Sequence, residues 1–192
     1  ARVNGLLYII NSVDDDDLKN RSLRQVAVNA AAFLVFFLFF VITLLLAEGF
    51  AYNRETSAVT MEKFLYLNNL ISMPLVLVVF LAGVVLVLAG LWKALFRASG
   101  SGIWYTGSGT ILAVMGLFLI AGFNGTSFYP SSFDLDSSLT IENASSSLFT
   151  LKTMMYVSFM VPFVIAYIWY AWKAINDRKI TPGEMKTEGH TY

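Results

Sequence analysis

The 192-residue sequence has no cysteine, a single histidine and four prolines, and only 14% of its residues are charged. Without cysteine there are no disulfides, zinc–thiolate sites or cysteine-ligated iron–sulfur clusters. The one histidine, His190, stands in a polar carboxyl-terminal tail, so the apolar part of the chain has no imidazole to offer a haem. Lys plus Arg and Asp plus Glu balance at 13 each. No basic excess is left to hold a phosphate backbone, and nucleic acid is not an expected partner. Charge is also too sparse to cover a globule. Soluble domains are about 25% charged and about 45–50% apolar, whereas 57% of this chain is hydrophobic. Composition therefore excludes a soluble enzyme.

What is present is membrane-spanning sequence. Four segments are long and apolar enough to cross a hydrocarbon core of about 30 Å, which takes roughly 20 helical residues: 26–47, 70–92, 103–123 and 153–174. Helices are expected, because lipid offers no partner to an open backbone and the segments lack barrel-like alternation. Arg2, Lys19, Arg21, Arg24, Lys93, Arg97, Lys173, Arg178, Lys179 and Lys186 fall on one side, against Arg54, Lys63 and Lys152 on the other. This asymmetry predicts a multi-pass protein with both termini in the cytoplasm. Trp92, Trp104, Trp169 and Trp172 cluster at the same cytoplasmic ends, as an interfacial aromatic belt does. Of the two outer loops, 49–69 is mixed polar and suits a short interfacial helix. The second, 124–151, is rich in Ser and acid and suits an ordered cap over the bundle.

Few residues carry chemistry. Met73, Met115 and Met160 lie within spans, where flexible packing is the usual role. No metal-spaced cluster and no phosphate-cradling glycine loop occurs, so no catalytic, cofactor or metal ligand is assigned. Glu48 at the outer end of the first span is read first as an interfacial carboxylate and second as a proton-handling or packing-critical acid. Asp14–Asp17 read most simply as a solvated turn. Asn124-Gly-Thr and Asn143-Ala-Ser match a glycosylation pattern common by chance, and neither is given a role. Gly102, Gly109 and Gly116 repeat every seven residues on one side of the third span, where small residues admit a neighbouring backbone. Pro162 falls mid-span in the fourth and predicts a kink. On these grounds alone the chain is a scaffold.

One stretch points further. Residues 130–172 contain Pro130-Ser131-Ser132, Ser138-Leu139-Thr140-Ile141, Asn143-Ala144-Ser145-Ser146-Ser147 and Thr150-Leu151-Lys152, then a last span with Pro162, Tyr167, Trp169 and Trp172. This run resembles the carboxyl-terminal signature of subunit II of cytochrome bd-type quinol oxidases. The resemblance implies an all-α polytopic fold, with these four helices forming one half of a pseudo-repeated eight-helix subunit. Residues 1–25 would then be the end of a preceding helix plus a cytoplasmic linker, 26–176 the four-helix bundle, and 177–192 a cytoplasmic tail. It further implies a bacterial inner-membrane complex that oxidises quinol and reduces dioxygen to water. The b- and d-type haems would reside in subunit I, with none bound by this chain. Partners would be that haem-carrying subunit, the first half of subunit II, quinol and membrane lipid, with room for a structural quinone or lipid against the helices. A small transporter or channel and a membrane-assembly factor are the readings from other classes. The lack of intramembrane charge and of an inverted repeat weighs against the first.

Overall fold

The computed structural model describes residues 1–175 and Lys179, so the expectations for His190 and the rest of the tail lie outside the described residues. The chain opens with α1 (Arg2–Ser12) and turns back into α2 (Asp16–Leu46). The four aspartates are more than a solvated turn. The Asp15 side chain accepts the Leu18 N–H at 2.9 Å as the N-cap of α2, and Asp16 and Asp17 occupy its first turn. Carboxylates there complement the open N–H groups and the positive end of the helix dipole. Lys19 Nζ closes the turn at 2.9 Å from Asp14 Oδ1. Helix α2 therefore begins ten residues before the apolar run and, at 1.5 Å per residue, is about 46 Å long, more than a bilayer core requires.

Helix α4 (Pro74–Arg97) starts with Pro74 at its first position, where a missing N–H costs nothing, and pairs with α5 (Gly102–Gly122) as an antiparallel hairpin. Their glycines interlock. A Cβ on Gly109 would lie 2.7 Å from the Gly83 carbonyl oxygen and 2.7 Å from the Val87 nitrogen. One on Gly90 would lie 2.8 Å from the Gly102 carbonyl oxygen, and one on Gly116 2.8 Å from Phe80 Cβ. The two backbones are in contact along this seam, which no larger residue permits. At the basic ends of the helices, Leu7 and Ile10 of α1, Val26 and Ala30 of α2 and Leu91 and Ala94 of α4 form one buried cluster.

Opposite the basic ends, the first loop is a hairpin followed by a helix. Strands β1 (Glu48–Tyr52) and β2 (Val59–Lys63) pair antiparallel with Glu48 opposite Lys63, and α3 (Leu65–Ser72) follows. The short helix expected in this loop is present as α3, and the hairpin ahead of it was not expected. Phe50, Tyr52, Val59 and Thr60 suit a pleated surface, and Asn53 Oδ1 accepts the Glu55 N–H at 2.9 Å to start the turn. The second loop is ordered over the bundle, with a 3₁₀ turn (Leu135–Ser137) and the short α6 (Ile141–Ala144).

The last apolar segment is two helices, α7 (Leu148–Ser158) and α8 (Val161–Ile175), rather than one kinked helix. Pro162 has no N–H for the Ser158 carbonyl. The chain tightens just before it, with Phe159 N–H donating to Tyr156 at 3.2 Å and Met160 N–H to Val157 at 2.9 Å. No residue in the most apolar 18-residue window of this segment is buried. It meets α1 through the Trp172 and Tyr8 rings, whose centroids are 5.7 Å apart.

Candidate functional site

Two polar constructions stand out on this apolar frame: the cap and a cleft beside α1. The cap is anchored by Asn69, only 1% exposed at the inner end of α3. Its Nδ2 donates to the Ile120 carbonyl at 3.1 Å and to Thr126 Oγ1 at 2.7 Å, while its Oδ1 accepts from Asn124 Nδ2 at 3.0 Å. Asn124 also donates to Ser72 Oγ at 3.1 Å. This network fastens the cap to the top of α5. Tyr52 N–H then donates to Gly125 at 2.6 Å and Ser127 N–H to Phe50 at 2.9 Å, which docks the cap against β1.

The run that carries the resemblance builds the rest of the cap. Ser138 is fully buried, its hydroxyl accepting the Ser131 N–H at 3.0 Å. Thr140 and Asn143 form a capping box around α6: Thr140 N–H donates to Asn143 Oδ1 at 2.7 Å, and Asn143 N–H returns to Thr140 Oγ1 at 3.3 Å. Asn143 Nδ2 completes its set on the Ser138 carbonyl at 2.9 Å. Asp136 Oδ1 accepts the Val59 N–H at 3.0 Å, and Arg54 Nε pairs with Glu142 Oε1 at 2.5 Å. Ser138, Thr140 and Asn143 thus occupy positions set by hydrogen bonding within the cap, and no chemistry is needed to explain them.

The residues singled out from sequence do not converge. Glu48 is exposed at the head of β1. Gly102, Gly109 and Gly116 lie in the α4–α5 seam, and Pro162 sits in the exposed last segment. Met115 and Met160 are each more than half exposed on helix faces. Among the described residues no group of three or more His, Cys, Asp or Glu is placed to hold a metal. The described residues include no histidine.

Sequence reasoning missed the cleft. Arg2 falls in the basic amino-terminal stretch, which reads as cytoplasmic. In the structure α1 carries it back along α2, six residues and about 9 Å beyond Tyr8. There Arg2, Asn4, Asn29, Thr106 and Thr110 line a cavity of about 290 Å³. A second, almost wholly apolar chamber of about 330 Å³ runs onward between α2 and the α4–α5 pair. Phe33, Val87 and Thr110 line both. A signal existed: an Arg ahead of the apolar run Leu6–Ile10, on a segment expected to be the end of a helix, belongs at that helix's far end.

No curated protein matches the chain. The family model of cytochrome bd terminal oxidase subunit II matches residues 1–175, from the first turn of α1 to the last of α8. That match spans every described element, including the signature that the capping box explains. With helices long and apolar enough to cross a membrane four times, the chain is a multi-pass membrane protein that belongs to the family of cytochrome bd terminal oxidase subunit II, a component of a respiratory terminal oxidase.

Proposed function

We propose that the chain is a structural and assembly subunit, the carboxyl-terminal half of subunit II, in a complex that oxidises quinol and reduces dioxygen to water. The haems reside in a haem-carrying subunit I, where quinol reacts. The first half of subunit II packs beside this chain in a bacterial inner membrane, with both termini cytoplasmic. Glu48 has no assigned step in this reading.

The observation that carries it is the exposed apolar surface. The most apolar windows of α2 and of Leu148–Ile175 are 6% and 0% buried within the chain. A bundle with its own chemistry at its centre needs those helices closed around it. Here they are splayed and face outward, as suits helices that pack against other subunits and lipid. The distribution of Lys and Arg supports the topology. Ten basic residues on one side stand against three on the other.

Deleting the chain tests the reading. Membranes from cells without it should lose quinol-driven oxygen uptake by this oxidase and its d-type haem band, and re-expression should restore both. Unchanged uptake and an unchanged spectrum would contradict it. A change in ion flux alone would favour the transporter.

A further inference from the structure

We propose that the break between α7 and α8 docks a transmembrane helix from outside the described residues, one that brings a side-chain hydrogen-bond donor to the backbone carbonyls of Ser158 and Phe159. This deepens the structural-subunit reading and rests on it for the presence of neighbouring helices.

The backbone around Pro162 runs short of donors. In an unbroken helix each N–H meets the carbonyl four residues before it. Pro162 has no N–H for Ser158. Phe163 N–H turns from Phe159 to Met160 at 3.1 Å, and Val164 N–H reaches that same carbonyl at 3.3 Å. The tightening that closes the turn onto Tyr156 and Val157 therefore leaves Ser158 and Phe159 without their helical donors. The nearby hydroxyls are committed elsewhere, Thr153 to the Phe149 carbonyl at 3.0 Å and Ser158 to the Met154 carbonyl at 2.8 Å.

Depth makes the gap costly. The break lies at the middle of the 28-residue apolar segment Leu148–Ile175. Lipid tails have nothing to donate there, and irregular backbone at that depth persists only where protein covers it or a water-filled cavity meets it. Phe159, Met160 and Val161 are 63%, 63% and 48% exposed, so the cover does not come from α1 to α6. A helix carrying Ser, Thr, Asn or Gln at that level supplies the donor. A lone water would find two carbonyls and no enclosing wall.

The surface at the break suits a helix. Ser158, Pro162 and Ala166 follow at four-residue spacing and are all exposed, and small residues in that pattern let a second backbone come close. Met155 and Met160, each more than half exposed beside them, adapt to whatever side chains the visitor presents.

The test places the photo-crosslinker p-benzoylphenylalanine at Phe159 in the native membrane. After irradiation the complex is purified through this chain and the adduct peptide sequenced by mass spectrometry. The expected adduct is one transmembrane helix with Ser, Thr, Asn or Gln within a turn of the crosslink. Replacing that donor by Ala should lower the yield of intact complex about threefold, the scale of one interhelical hydrogen bond in a membrane. With Pro162→Ala, where residue 162 offers its own N–H to Ser158, the same replacement should change yield little. Ala166→Leu, which thickens the strip, should lower yield to a similar extent, and Val164→Leu, two residues round the helix, should not. This pair carries the test if Pro162→Ala fails to assemble. An adduct with lipid alone, an adduct helix without such a donor, an equal loss with and without Pro162, or equal yields for the Ala166 and Val164 variants would overturn the proposal. A donor-bearing adduct from a preparation without haem bands would keep the docking point and remove the oxidase reading.

Discussion

Asn69 is the residue on which the cap depends most. Its amide satisfies three partners from two other parts of the chain at full burial, and no neighbour could take over. Asn69→Leu keeps the volume but leaves Thr126, Ile120 and Asn124 with unmet polar groups, at a cost of about 3 kcal/mol. Thermal unfolding of the detergent-purified protein should show a markedly lower midpoint. Asp15→Ala removes the N-cap of α2 and should cost about 1 kcal/mol by the same measurement. Lys19 holds the neighbouring Asp14 carboxyl below the usual carboxylate range, through their hydrogen bond and charge. That contribution is present above the ordinary Asp pKa and fades as the pH falls through the lowered one, so the turn should loosen only in strong acid. Glu48, exposed opposite Lys63, should tolerate Gln with oxygen uptake unchanged. A tenfold loss would give it a proton-handling role.

Among the elements, the α4–α5 hairpin is the most constrained. Gly109→Leu drives four carbons into the Gly83 carbonyl and the Val87 backbone, so the hairpin must part and yield of intact complex should fall sharply. Unchanged yield would show that the seam is not needed for assembly. The turn joining these helices holds Ala98 at φ 46°, a left-handed conformation that suits glycine. Ala98→Gly should raise stability by roughly 0.5–1 kcal/mol. The apolar spans were legible because lipid demands about 20 apolar residues whatever the packing, and the glycine repeat could be read from spacing alone. The partner glycines Gly83 and Gly90 were not, since pairing two helices face to face is a tertiary fact. The β1–β2 hairpin was equally hidden: its strands are five residues each and are held by the cap, 60 or more residues downstream, through contacts such as Ser127 with Phe50. The distance of Arg2 from the turn at Asp14–Asp17 was not legible either, because a charge count ignores the helix of eleven residues that carries it about 15 Å from Ser12.

At the scale of the whole molecule, the chain presents more apolar surface outward than it encloses. Phe36, Phe39, Phe118, Phe163 and Tyr167 are each at least 70% exposed, spread over α2, α5 and α8. At one end of the helices Lys93, Arg97 and Lys173 lie over the rings of Tyr105, Trp92 and Trp169. Replacing Trp169 and Trp172 with Ala should disturb membrane positioning and leave the haem spectrum of an intact complex unmoved. A shifted spectrum would place these rings near a cofactor. The central claim is that this chain completes a haem-carrying partner. The most direct test is to purify it in detergent from its native membrane, record the reduced-minus-oxidised spectrum and weigh every copurifying chain. The account predicts a larger subunit with b- and d-type haem bands, together with the first half of subunit II. A colourless preparation from cells that make the chain would contradict it.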